Sequence, residues 1–320
     1  MRQRLNAILR GIDGQSRWLL FALGLLAIAL LRPTLPWQRD VFNSIFVIDI
    51  SQSMNTRDYQ IDEEPVSRIQ VVKDTLRKSL AEMPCGSRMG LAIFTEYRSF
   101  LLLTPVEVCN NYAELSASVN QISGKMAWAG GSEIAKGLNW GLKMALAVEP
   151  RPTLVFLTDG HEAPPISLNH RPRIDVKPGE VRGILIGVGA NELSRIPKFD
   201  PDGNALGYWQ ADEVAQIDIY SQGRGGSVAG EVMAGTDQPA NEAEKRAPTE
   251  HLSSLKEAYL QQLAEETGLS YAHLTLPVDL VKLLSAGGVG QSVSVPTPFG
   301  WLPALLALVS VLASYFWRSR

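Results

Sequence analysis

The sequence predicts a doubly wound α/β sheet with an antiparallel edge hairpin, flanked by two transmembrane helices. Three observations carry this expectation. Apolar runs that read as buried strands alternate with amphipathic helical segments through residues 38–290, as in a parallel sheet covered on both faces. Two uncharged apolar runs lie outside that region, each bordered by arginine. Carboxylates and hydroxyls cluster at the ends of the predicted strands, where open α/β sheets collect their ligands. The chain of 320 residues, 45% apolar and 20% charged, is long enough for one large core. A net charge of −3 offers no basic surface for nucleic acid.

The basic segment 1–17 carries Arg2, Arg4, Arg10 and Arg17. The uncharged run Trp18–Leu31 follows and is closed by Arg32-Pro33. With Arg32 snorkelling and Trp18 and Trp37 as interface anchors, the expected span is 18–37. A cleaved signal peptide with an Ala27-Ile28-Ala29 site is the competing reading. The second expected span is 298–317, followed by a tail, 318–320, that holds Arg318 and Arg320. Arginine on the outer side of both runs puts both termini in the cytoplasm and residues 38–296 across the membrane.

Between the runs, Val41–Ile50 reads as a central strand buried on both faces. Arg68–Met83 is an amphipathic helix capped by Ser67, with Ile69, Val72, Leu76 and Leu80 on one face. Met89–Phe94 and Ser99–Leu103 form the edge hairpin, turning near Tyr97. Asn111–Ile122 and Glu133–Val148 are helices, and Thr153–Thr158 and Gly183–Val188 are buried strands. An insertion at about 191–250 interrupts this order. It opens with a hairpin whose tip is Asp200-Pro201-Asp202-Gly203-Asn204, a turn rather than a calcium loop, because no bidentate Glu follows at the required spacing. Its second half, Gly223–Glu250, has the composition of a flexible loop. Helix Ser254–Thr267, strand Leu269–Leu274 and helix Val278–Ala286 complete the domain.

Cys85 and Cys109 lie at equal distances either side of Tyr97. Residues placed symmetrically about a hairpin turn face each other, within disulfide reach. The two cysteines are therefore expected to close the open end of the hairpin; two unpaired thiols are the alternative.

The chemistry gathers at strand ends. Asp49-Ile50-Ser51-Gln52-Ser53 ends the first buried strand, and alternation in an extended segment would point Asp49, Ser51 and Ser53 the same way. Thr158-Asp159-Gly160 ends another, and Gly130-Gly131-Ser132 opens a helix. Two carboxylates and three hydroxyls, with no His or Cys among them, suit a hard cation: Mg²⁺, with Ca²⁺ or Mn²⁺ as alternatives. His161 and Glu162 follow Asp159 and are expected at the solvated rim of this site. Trp128, two residues before Gly130, is a further candidate for the partner-facing rim. The remaining histidines show no zinc spacing, and no phosphate-binding Gly-x-x-x-x-Gly-Lys loop is present.

Asp-x-Ser-x-Ser, Gly-Gly-Ser and Thr-Asp-Gly, in this order and on these elements, resemble the metal-ion-dependent adhesion site of von Willebrand factor A (vWA) domains. The resemblance covers about residues 41–286. It implies that Ser51, Ser53 and Ser132 bind the metal directly, that Asp49 and Asp159 act mostly through water, and that an open position accepts a carboxylate from a client protein. Leu30-Leu31-Arg32-Pro33, Ser51-Gln52-Ser53-Met54 and Arg57-Asp58 also resemble a bacterial subgroup of membrane vWA proteins. That subgroup occurs with MoxR-type AAA+ ATPases and other vWA membrane proteins, and the chain looks most like the small vWA proteins of methanol-dehydrogenase operons. The subgroup implies an inner-membrane protein with a periplasmic vWA domain acting in assembly or maturation of a periplasmic enzyme, without catalysis of its own. The alternatives are a metal-dependent hydrolase, for which only His161 and Glu162 offer a base, and a structural membrane subunit with an inactive metal site.

Overall fold

Four apolar runs, each too short for a helix and without polar interruption, become neighbouring strands buried on both faces. The computed structural model describes residues 14–127, 130–166, 172–200, 203–216, 249–277 and 279–317. In chain order its first half comprises α1 (Gly14–Leu30), β1 (Thr34–Val41), β2 (Asn43–Asp49), the small hairpin β3 (Tyr59–Ile61) and β4 (Glu64–Val66), α2 (Arg68–Glu82), β5 (Arg88–Thr95), β6 (Arg98–Glu107), α3 (Tyr112–Gln121) and α4 (Ile134–Ala147). The second half comprises β7 (Thr153–Thr158), β8 (Gly183–Gly187), β9 (Ser194–Arg195), β10 (Pro197–Phe199), β11 (Ala205–Tyr208), β12 (Leu252–Ser253), α5 (Glu257–Thr267), β13 (Ser270–His273), α6 (Leu280–Ala286), β14 (Gln291–Pro298) and α7 (Trp301–Trp317).

The main sheet has six strands in the order β13-β8-β7-β2-β5-β6. All neighbours are parallel except β5 and β6, the antiparallel edge hairpin. The chain moves outward from β2 to β5 and β6, then returns to β7 on the other side of β2. The strand order therefore reverses between β2 and β7, which opens a crevice at their carboxyl ends. Along β2, Phe46 and Ile48 face the layer of α2, α3 and α6, while Ile45 and Val47 face that of α4 and α5. This is the two-residue alternation of a pleated strand buried on both sides. The Ser67 hydroxyl caps α2 by accepting the Gln70 N–H.

α4 approaches the sheet closely because Gly137 has no side chain. A Cβ there would lie 2.1 Å from the Phe94 ring. We expect Gly137→Ala to destabilise the protein by about 1–3 kcal/mol through overpacking, although alanine is the better helix former. Denaturant unfolding of the variant measures this, and an unchanged midpoint would contradict the close packing.

Cys85 and Cys109 form a disulfide with Cα atoms 5.3 Å apart. The symmetry about Tyr97 holds at Leu91↔Leu103, but the register shifts on either side of Leu91, giving Met89↔Val106 and Ala92↔Leu101. The irregularities sit beside Gly90 and Pro105, where a bulge costs little.

The two expected membrane spans are corrected. α1 and α7 have 17 residues each, which is about 26 Å of rise against a hydrocarbon core of ~30 Å. Among the described residues no helix is long and apolar enough to cross a membrane. Snorkelling cannot extend α1, because Arg32 adopts φ 47° and Pro33 follows it. From Thr34 the chain is strand β1, so Trp37 lies in a two-stranded ribbon with β14 and contacts Phe299 at a ring distance of 6.2 Å. Pro298 likewise ends β14 and does not open α7. The flanking segments form one compact unit and Asp40–Gln291 the other. Most of the segments 1–17 and 223–250, the tail 318–320, and Trp128 lie outside the described residues.

Candidate metal centre

β2 and β7 each deliver a carboxylate to the crevice: Asp49 closes β2, Asp159 follows β7, and both are fully buried. Asp49 Oδ1 accepts the Ser51 N–H at 2.8 Å and its Oδ2 accepts the Thr158 hydroxyl at 2.6 Å. The chain does not stay extended after Asp49, as the sequence suggested. It enters a single 3-10 turn, Gln52–Asn55, closed by Met54 N–H to the Ser51 carbonyl. That turn brings the Ser51 and Ser53 hydroxyls within 3.1 Å of each other. Ser132 arrives from a third segment, just before α4. Its backbone pairs with Ala163 in both directions, at 2.7 and 2.8 Å. Ser51, Ser53 and Ser132 are buried and line one cavity of about 340 Å³.

Arg68, the first residue of α2, was not singled out from the sequence. It is fully buried. Its Nη1 donates to Asp159 Oδ2 at 2.5 Å and to the Ser253 hydroxyl at 2.6 Å, while Nε and Nη2 grip Asp58 at 2.9 and 2.6 Å. Ser253 belongs to β12, which pairs with β9, so the base of the insertion is hydrogen-bonded to the Asp159 carboxylate. One signal was available: a positive charge at a helix N-terminus opposes the macrodipole and asks for a nearby anion.

The charges are unequal. Arg68 holds the Asp159 carboxyl below its ordinary range, against the effect of burial. Burial, and then the charge of Asp159, push the Asp49 carboxyl up to about 7. That guanidinium is thus shared between Asp159 and Asp58, while Asp49 is held by the neutral Ser51 N–H and Thr158 hydroxyl. The donors present fit a hard divalent cation: three hydroxyls from Ser51, Ser53 and Ser132, with Asp49 and Asp159 behind them. The Ser132 hydroxyl is buried without a hydrogen-bond partner, a costly arrangement for a polar group that serves only the fold. Such an ion would also neutralise the excess charge at Asp49. Among the described residues the one His/Cys/Asp/Glu cluster with metal-like spacing is Cys85, Glu107 and Cys109. There the sulfurs are consumed by the disulfide, and Glu107 accepts the N–H groups of Gly86 and Asn110.

His161 and Glu162 form part of the cavity wall and are buried, not at a solvated rim. The reason is the chain's path: Glu162 Oε1 is tied to the Tyr259 hydroxyl and the Ala135 N–H, drawing the segment between α4 and α5. Burial pushes the Glu162 carboxyl up to about 7 and the His161 imidazole down to about 4.

These shifts predict a pH dependence. A carboxyl with a raised folded pKa contributes stability at low pH that is lost as pH climbs from about 4 to about 7. His161 works the other way between about 4 and 6.5, offsetting one of the two carboxyls. In EDTA, the thermal midpoint at pH 7.5 is therefore expected below that at pH 5. A higher midpoint at pH 7.5 would contradict the assignment.

Residues 44–161 match the von Willebrand factor type A domain. The matched segment contains all five candidate ligands. Among solved structures, the chain is similar to an aerotolerance-related membrane protein from Bacteroides fragilis, with 17% identity and a TM-score of 0.48 over 77% of this chain and 98% of that one. It is also similar to a membrane-spanning protein from Vibrio fischeri, with 16% identity and a TM-score of 0.28 over 78% of this chain and 96% of that one. A von Willebrand factor type A structure from Catenulispora acidiphila shares 16% identity, with a TM-score of 0.33, over 48% of this chain and 34% of that one. No curated protein matches the chain.

Proposed function

We propose that this vWA domain binds one divalent cation through Ser51, Ser53 and Ser132, backed by Asp49 and Asp159, and uses it to hold a carboxylate of a client protein. The observation that carries this reading is the buried, unpartnered Ser132 hydroxyl lining the same cavity as the Ser51–Ser53 hydroxyl pair. Arg68 and a divalent ion together would balance Asp49, Asp58 and Asp159, and because the direct protein ligands would be neutral hydroxyls, an open position on the ion would favour an anionic ligand. A cation-bridged contact is reversible, which suits a temporary hold on a client during assembly or maturation of an enzyme. The Cys85–Cys109 disulfide supports an oxidising compartment, such as a bacterial periplasm, for this work.

Calorimetric titration of Mg²⁺, Ca²⁺ and Mn²⁺ into the full chain tests the cation. One site is expected in the wild type, and Asp49→Asn should weaken it at least tenfold, the scale of loss when a group supporting a metal is removed. Equal heats from both proteins would remove the reading.

A further inference from the structure

The serine hydroxyls do not lie on an open face. They form the floor of the 340 Å³ cavity, whose walls come from the segment after β7 (Ala163, Pro164, Pro165) and from the insertion (Ile196, Trp209, Val214). The insertion wall is well braced. Lys198 on β10 lies over the Trp209 ring at 4.6 Å and pairs with Glu213 at 2.5 Å. Glu213 in turn accepts the Gln210 N–H, and the Gln216 amide ties this turn to the Glu250 N–H. The wall is therefore formed before any ligand arrives, which lowers the entropic cost of binding.

Three polar atoms of the cavity wall are buried with nothing to bond: the indole Nε1 of Trp209, a donor, Nδ1 of His161, and Oε2 of Glu162, an acceptor when that carboxyl is ionised. Together with the floor, the cavity offers a place for a carboxylate, a donor for a carbonyl, an acceptor for an amide N–H, and apolar sides. Its volume lies at the small end of ligand pockets, which run from ~300 to ~1,000 Å³. That is room for a short chain end. An internal acidic side chain would have to bring two flanking stretches of backbone into the same space.

We propose that this cavity receives the carboxyl-terminal end of a partner polypeptide: the terminal carboxylate at the cation, an apolar last side chain against Ile196, Val214 and the prolines, and the last peptide group with its carbonyl accepting from Trp209 and its N–H donating to Glu162. This inference rests on the cation reading above and adds the kind of carboxylate that the site selects.

The test uses the full chain with saturating Mg²⁺ and three probes: acetyl-Ala-Ala-Leu with a free carboxylate, the same peptide as its amide, and acetyl-Ala-Asp-Ala amide, which carries an internal carboxylate. The free acid is expected to bind at least tenfold more tightly than either of the others. Trp209→Phe keeps an aromatic ring, though a smaller one, and removes an N–H to which the fold gives no partner. It should leave the Mg²⁺ affinity unchanged while weakening the free acid about tenfold, the value of one hydrogen bond to a charged or carbonyl acceptor. Mg²⁺ binding with no preference for the free acid, or with Trp209→Phe equal to wild type towards it, would overturn this inference alone. Failure of Mg²⁺ to bind the wild type would overturn the cation reading and this inference with it.

Discussion

Replacing Arg68 with methionine is expected to destabilise the protein by about 3–5 kcal/mol, the cost of removing one partner from a buried ion pair. The side chain has no exposure, and it is the shared counter-charge of Asp58 and Asp159. Without it, both carboxylates stay buried with only neutral donors, and Asp49, already pushed up to about 7, gains an uncompensated neighbour. The loss should reach beyond the cation site, because the same guanidinium holds the Ser253 hydroxyl and carbonyl at the base of the insertion. Arg68→Lys should recover only part of it. A lysine carries the charge but cannot grip Asp58 with two nitrogens while reaching Asp159 with a third. Denaturant unfolding of the three proteins at one pH measures the series. A loss below about 1 kcal/mol for Arg68→Met would mean that the pair barely offsets its own desolvation.

The second large effect is at the opposite end of the hairpin. The Cys85–Cys109 bridge spans a sequence separation of 24, a loop for which the chain-entropy model gives about 3.5 kcal/mol. The double variant Cys85→Ser/Cys109→Ser is expected to lose about that much in thermal or denaturant unfolding. Among the described residues β6 is the edge strand of the sheet and pairs only with β5. Loss of the bridge should therefore appear first as faster amide exchange in β6, with β2 and β7 still protected. Unchanged exchange in β6 would show that side-chain packing alone pins the edge.

Much of this architecture was legible because buried parallel strands write themselves as apolar runs. Val41–Ile50, Thr153–Thr158 and Gly183–Val188 needed no context, and Asp49 and Asp159 followed as the charges at the carboxyl ends of two of them. The geometry of Ser51 and Ser53 was less legible, since a 3-10 turn and an extended strand both put alternate residues on one side over so short a stretch. Arg68 was hidden inside a convincing amphipathic helix, where a periodicity argument counts it as a solvated face. Ile196, Trp209 and Val214 belong to a segment that interrupts the regular order, so no period marks them as a cavity wall. The expected membrane spans failed at their edges. Composition extended both runs through prolines, Pro33 and Pro298, where the backbone is already committed to strand or its approach.

A cation held by Ser51, Ser53 and Ser132 at the β2–β7 crevice would be detectable by its own signal. Electron paramagnetic resonance of Mn²⁺ titrated into the full chain tests for it most directly, since free Mn²⁺ alone gives the sharp six-line signal. The signal should be suppressed up to one equivalent, restored by excess Mg²⁺, and not suppressed in Ser132→Ala, whose circular dichroism and thermal midpoint should match the wild type. An undiminished signal with the wild type, or equal suppression by wild type and Ser132→Ala, would contradict this cation site.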